Sequence, residues 1–312
     1  MLRSTIARLA LSVALLTAAA TANAVTLRVN CGQHSGLNNI GAALKALQYS
    51  DPRAPATILV SGACRENLLI QGFDRLTLTA VNGASISDAS GGKLSVVDME
   101  DSRDVALNGF TVNAGSGENV YGVVCGDWSS CRLSGNVIQG AQGLGGAGFA
   151  VFGASQATLD GDVLQNNGVG LLLLSGSKAR NGVGGRTFIS RGNGQGIRIR
   201  RNGFALIQAT VENNSEQGVV VAFDSTLQFT GSISGNGSVG IDIREGSVAS
   251  FDSATISGNA EAGVLVHDLS MAIFSGASVT GNGGGTDVEC DPQFPATRGT
   301  ADTGGTTNCV EP

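Results

Sequence analysis

Chemistry in this 312-residue chain would have to come from a small set of side chains in its C-terminal half. There are only two histidines. One of them, His267, is followed by Asp268 and lies 23 residues after the pair Arg244-Glu245, which itself lies 44 residues after Arg200-Arg201. Arg198 and Asp242 stand two positions before those arginines. Histidine moves protons near neutral pH, adjacent carboxylates split their pKa values, and guanidinium groups grip carboxylates. Brought to one face, such residues would suit an acidic sugar: an arginine neutralises the uronate while a base takes the neighbouring proton. The candidate catalytic residues are therefore His267, Arg244, Arg200, Asp268 and Glu245. Arg198, Arg201 and Asp242 would bind substrate, with Phe152 and Phe223 as apolar platforms. No CxxC or histidine-rich spacing marks a metal site, and no cofactor is implied. Asp242, Asp268 and Glu289 offer oxygens that calcium would take, but no calcium-loop motif surrounds them.

What would position these residues is a repeat. From Gly148 onward a small residue is followed by alternating apolar positions, beginning at Gly148, Gly170, Gly196, Gly218, Gly240 and Gly263, at spacings of 22, 26, 22, 22 and 23. A period in this range means a solenoid, and alternation within each unit means strands. Ile207, Phe229, Phe251 and Phe274 recur at 22, 22 and 23 and are expected to stack inside the coil. Asn193, Asn214, Asn236, Asn259 and Asn282 form a second column, in a turn where asparagine tolerates left-handed backbone and can bond its copies above and below. A leucine-rich repeat would need a leucine skeleton, and a β-sandwich would not keep this register. Counting each glycine as zero, positions two and four face outward. Arg200, Ala222, Arg244 and His267 then share a column, and position five adds Arg201, Phe223, Glu245 and Asp268. Residues one coil apart are about 4.8 Å apart, so Arg244 is expected beside His267 and Glu245 beside Asp268. The competing reading is a solvated face, since outward residues of any solenoid must be polar and mixed charge relieves repulsion along a column.

The rest of the chain frames the repeat. Arg3 and Arg8 precede an apolar run from Leu9 to Ala20 and the small-x-small triplet Ala22-Asn23-Ala24, so residues 1–24 read as a secretory signal and the mature chain as secreted or periplasmic, without a membrane span. Residues 25–57 hold a strand and a helix with Leu37, Ile40, Leu44 and Leu47 on one face, a cap for the open solenoid end. About ten coils fit in residues 58–294, and residues 295–312 form a tail. Six cysteines suit an oxidising compartment, and proximity pairs Cys31 with Cys64, Cys125 with Cys131 and Cys290 with Cys309, out of fifteen connectivities. A net charge of −6 argues against a nucleic-acid partner. His34 reads as a local packing residue. Tyr121 and Trp128 flank the short Cys125 to Cys131 loop, with burial beneath it expected. Lys178 and Arg180 sit in the coil enlarged by four residues. Oligomeric state is silent in the sequence.

The Gly-apolar-x-apolar strands, the phenylalanine and asparagine columns and the helix before the first coil together resemble the right-handed parallel β-helix proteins of the pectate-lyase-like superfamily. The resemblance implies an all-β fold, a single right-handed parallel β-helix of about ten coils with an N-terminal amphipathic capping helix. The superfamily includes lyases, hydrolases and epimerases of polysaccharides, tailspikes and non-enzymatic surface proteins, so fold alone leaves function open. The Asp-Asp and Gly-His-Gly stations of polygalacturonases are missing; the nearest fragments are Gly285-Thr286-Asp287 and Arg198-Ile199-Arg200. The Asp-Pro-His-Glu station of alginate epimerases is missing too, because Asp51-Pro52 and Asp291-Pro292 run on into Arg53 and Gln293. Two expectations follow: an exported protein that binds an acidic polysaccharide or cell-envelope glycan, with its modification left open, or a non-catalytic structural or surface-interaction protein of the same fold.

Overall fold

A computed structural model describes residues 24–33, 36–182, 185–290, 297–298, 307 and 309. The signal segment and His34 lie outside the described residues, as does most of the tail. The chain winds into a parallel β-helix. One side is a sheet of ten short strands stacked in chain order from Leu68–Gln71 to Val288–Cys290, which gives the ten coils expected. An eighteen-stranded second sheet forms the remaining walls. Its longest strands, such as Ala56–Arg65 and Leu76–Ser87, run on where other coils break into two. Every pairing between strands is parallel, so each coil lies directly on the last.

The period-two alternation of the sequence becomes one continuous apolar core running from Val29 to Cys290. Ile207, Phe229, Phe251 and Phe274 occupy one register column as expected, and the rings of Phe251 and Phe274 stack with centroids 5.4 Å apart. Below Ile207 this column is interrupted. In the enlarged coil Asn181 lies opposite Leu159, and its amide bonds to backbone, donating to the Gln208 carbonyl at 3.0 Å and accepting from the Gln208 N–H.

The asparagine column is longer than the sequence suggested and is bonded throughout. It begins at Asn167, whose N–H and side-chain amide both donate to the side-chain Oδ1 of Asn193 at 2.9 and 3.1 Å. The same double donation repeats through Asn214, Asn236, Asn259 and Asn282, and ends on the Asp287 carboxylate. This ladder explains the glycine column. A Cβ on Gly148, Gly170, Gly196, Gly218, Gly240 or Gly263 would lie 2.6 to 3.0 Å from the amide nitrogen of the asparagine in the next turn, closer than any side chain permits. A serine ladder that the sequence reading missed occupies the opposite turn, where the N–H groups of Gly203, Ser225 and Ser247 each donate to the hydroxyl one coil on.

The helix spans Ile40–Ser50, shorter at its start than expected, and buries Ile40, Ala43, Leu44 and Leu47 against the core. Leu37 packs there from outside the helix. Asn39 caps the first turn through the Ala42 N–H, and the Glu66 carboxylate accepts the N–H groups of Ile40 and Gly41 at 2.8 and 2.9 Å, a favourable place for negative charge. The three disulfides join the cysteines paired above. Of the tail, Thr297–Arg298 adds a short parallel strand to the second sheet.

Because Asn214 accepts twice from Asn193 and donates to Asn236 and to the Ser190 carbonyl, Asn214→Ala removes four buried hydrogen bonds and takes away the acceptor of the Asn193 N–H. A loss of about 3 kcal/mol or more is expected, read as a lower urea midpoint, whereas an exposed strand control such as Gln228→Ala should move it little.

Candidate functional site on the outer face of the ten-strand sheet

Outward side chains of the ten-strand sheet form columns that the ladders hold in register. One column reads Leu69, Asp98, Val124, Ala150, Leu172, Arg198, Val220, Asp242, Leu265 and Glu289. Its middle is apolar, and there Ala147, Ala150, Val169 and Leu172 make a small buried patch outside the helix, covered by Tyr121, Phe152 and Leu174. Phe152 meets Tyr121 with centroids 6.4 Å apart. The phenylalanine is thus part of a platform, and its partner is a tyrosine whose phenol burial pushes up in pKa.

Beyond this patch the charged candidates gather, around a different residue from the one expected. Asp242, whose side chain is 6% exposed, is the hub: its carboxylate lies 3.2 Å from Arg244 Nη1 and 2.8 Å from His267 Nε2. Arg244 and His267 therefore meet through Asp242 and not directly. Asp268 does not pair with Glu245 but stands 3.2 Å from His267 Nδ1. With a carboxylate at each ring nitrogen, the imidazole can give up or take a proton on either side and keep an acceptor for the N–H that remains.

The cause of the changed pairing is backbone conformation. Arg201, Phe223, Glu245 and Asp268 all have left-handed φ, between 51° and 57°. Position five is therefore the first residue of a turn and does not continue the outward column. Glu245 leaves one carboxylate oxygen buried without a hydrogen bond. Phe223 turns its ring under Arg200, with the guanidinium carbon 4.5 Å from the ring centroid, a cation–π contact. Arg201 remains exposed. Asp242, Asp268 and Glu289 do not surround a common point suited to calcium: Asp242 faces cationic groups, and Leu265 separates it from Glu289 in the column.

Arg198, Arg200 and Arg244 form a crowded cationic group. Arg198 is bonded through Nε to Gln195 at 2.6 Å. Burial first, and then the charges of Arg200 and Arg244, pull its pKa down, with Glu216 partly opposing them. The Nε atoms of Arg200 and Arg244 are buried without hydrogen-bond partners. A depression of about 510 Å³ at the turn edge of the sheet reaches Arg198, between Leu144, Gln195 and Glu216.

The opposite end of the face is acidic, which the sequence reading missed. Asp98, about 19 Å away from Arg198 by four coil rises, shares that end with Glu100 and Asp127. Burial, and then these two neighbours, push its pKa up to about 6. Next to it Trp128 is 79% exposed, contrary to the burial expected; a six-residue disulfide loop is too short to cover an indole. Arg53, Asp74, Asp101 and Arg103 share a depression of about 520 Å³ with that ring.

With this geometry in hand, residues 163–297 match the family model described as a right-handed β-helix region, and the chain is a right-handed parallel β-helix with the pectate-lyase-like fold. Among solved structures it is similar to the Azotobacter vinelandii mannuronan C-5 epimerase AlgE4 A-module, at 13% identity over 91% of this chain and 98% of that one, with a TM-score of 0.61. The Dettilon tailspike protein aligns at 11% identity over 89% of this chain and 67% of that one, with a TM-score of 0.56. Pectate lyase Pel9A aligns at 12% identity over 94% and 80%, with a TM-score of 0.51. No curated protein sequence matches the chain. At these identities the likeness is one of fold.

Stability should depend on pH through the buried carboxylates. Asp98 and Asp162, the latter also raised by burial to about 6 against an ordinary 3.8, fold more readily protonated. Their contribution is full below about 4 and is lost as pH rises through about 6. Asp88, held near 2 by hydrogen bonds from Ser90, Asn67 and Gly92 that outweigh its burial, acts oppositely and is lost below about 4. Thermal midpoints measured across pH should therefore peak near pH 4 and fall between about 4 and 6, and Asp98→Asn should flatten that fall.

Proposed function

We propose that this is an exported β-helix protein that binds an acidic polysaccharide along the outer face of the ten-strand sheet. The observation that carries this reading is the crowding of Arg198, Arg200 and Arg244 on one face of a chain whose net charge is −6. Three guanidinium groups that crowd one face, of which Arg198 and Arg200 have no ion pair among the described residues, suit an anionic ligand that joins them. The adjoining apolar strip and Tyr121–Phe152 platform suit the C–H face of a sugar ring. Because the groups are spread over several coils, the ligand they suit is a chain of repeating units. The three disulfides, at home in an oxidising compartment, support export. Known structures of this fold that are named for action on mannuronan and as pectate lyase support a polysaccharide as the ligand class.

A second reading, modification of the bound uronan, is favoured by His267. With Nε2 held on Asp242, it would take the proton next to a uronate carboxylate through Nδ1 once the sugar displaces the exposed Asp268 carboxylate, with Arg244 beside it to offset the developing charge. Inversion or elimination would follow, according to whether a proton returns to the other face or the glycosidic oxygen departs. A structural protein of the same fold would neither bind glycan nor turn it over.

Oligomers of mannuronate, guluronate and galacturonate are expected to raise the thermal midpoint of the wild-type protein, and Arg200→Ala with Arg244→Ala to remove that shift. If modification occurs, His267→Ala should lower turnover by about 10²-fold or more while leaving the thermal shift in place. Absence of both shift and turnover across the panel would leave the non-catalytic structural reading.

A further inference from the structure

A second charged surface lies away from this face, on the outside of the eighteen-stranded sheet. There Arg132, Thr158, Arg180 and Leu206 follow one another in a single outward register column. Asp104, Lys178 and Phe204 lie beside it. The column forms the floor of a shallow trough made of two adjoining depressions of about 480 and 700 Å³, which share Asp104, Arg132, Thr158 and Arg180. A third, of about 340 Å³, continues it past Arg180 and Leu206. The trough therefore runs along the helix axis across several coils.

Its chemistry is that of an anion site with an apolar flank. Arg132 is paired with Asp104 at 3.0 Å. Lys178 and Arg180 are exposed and in no ion pair among the described residues. Beside them Leu206 is 50% exposed and Phe204 half-buried, so apolar surface and unpaired positive charge lie together on a protein of net charge −6. The coil that carries Lys178 and Arg180 is the enlarged one. Its extra residues bring Arg186 back over the previous coil, where the guanidinium bonds Asp160 at 2.9 and 3.2 Å and the Ser134 hydroxyl at 2.9 Å. Asp160 in turn has its pKa lowered, first of all by that hydrogen bond. Asp160 and Ser134, which line the trough, are thus held by Arg186.

We propose that this trough is a second binding face for an acidic polysaccharide, with Lys178 and Arg180 meeting its carboxylates and Phe204 and Leu206 its ring faces. The choice of glycan rests on the proposed function; the anion-binding character rests on the trough alone. One rod with two such faces would hold two strands, or two stretches of one strand, and bridge them.

Calorimetric titration with a hexa-uronate, and with a neutral hexasaccharide as control, tests this. Wild type is expected to bind two hexa-uronates per chain, weakened by salt, and no neutral glycan. Lys178→Ala/Arg180→Ala should reduce the count to one or weaken one event roughly tenfold, while Arg198→Ala/Arg200→Ala removes the other. Unchanged binding in Lys178→Ala/Arg180→Ala, with loss only in Arg198→Ala/Arg200→Ala, overturns the second face and leaves the proposed function standing. The reverse pattern removes the proposed function and keeps the second face. Dimerisation in sedimentation that Lys178→Ala/Arg180→Ala abolishes, without any glycan effect, would assign the trough to a second copy of the chain and overturn the proposal.

Discussion

The structure depends on asparagines bonded to their own copies. Each amide from Asn193 to Asn282 accepts two N–H donors from the asparagine of the coil before it, so a buried polar turn that would otherwise be costly is satisfied within the stack. That satisfaction needs room, and the glycine column supplies it. Glycine and asparagine are therefore one device: the first lets the second lie under the sheet, and the second holds successive coils in register. Strand pairing alone would allow slippage by one or two residues, but a slipped coil would break every amide contact in the column.

A fixed register has consequences for chemistry. Outward side chains queue at one spacing and mostly point apart, so convergent groups arise only where two columns can reach each other diagonally. That happens at Asp242, which is short and sunken, while Arg244 and His267 are long enough to turn back to it. Elsewhere the face is a sequence of zones, with acidic groups near Asp98, an apolar patch over Ala150 and Leu172, and guanidinium groups from Arg198 onward.

Which parts of this were legible in the sequence follows from what the period encodes. Strand starts, the phenylalanine column and the asparagine turn were readable because each repeats a residue type at a near-constant interval. Partners within the site were not. Position five looked outward because a left-handed turn usually declares itself by glycine, and here Arg201, Phe223, Glu245 and Asp268 fill it instead. The hub role of Asp242 depends on side-chain reach across a diagonal, which a column count does not contain. Asp98 was missed because the early coils are longer, with Leu68, Val97 and Val123 in register at intervals of 29 and 26, and Val96 stands where later coils carry glycine. The serine ladder keeps the same spacing, with Ser225, Ser247 and Ser270 at intervals of 22 and 23, but serine is common among the polar turn residues around it and the column did not stand out.

The enlarged coil shows why such a scaffold can acquire function locally. Adding residues between two strands of a packed sandwich would disturb everything after them. Here Val163–Gln165 pairs with Ile189–Arg191, 26 residues on, and these pair again with Thr210–Glu212 only 21 residues later. The excess is taken up within one turn, Asn181 replaces the lost backbone contacts with its own amide, and Arg186 pins the loop to the coil beneath. Each coil needs only its two neighbours to be in register, so an outward loop is constrained by those two alone. Coil length alone does not mark a binding surface, since intervals of 26 also separate Ser85, Thr111, Val137 and Val163 and the Asp242 site stands on coils of 22 and 23; what each coil contributes is set by its outward side chains.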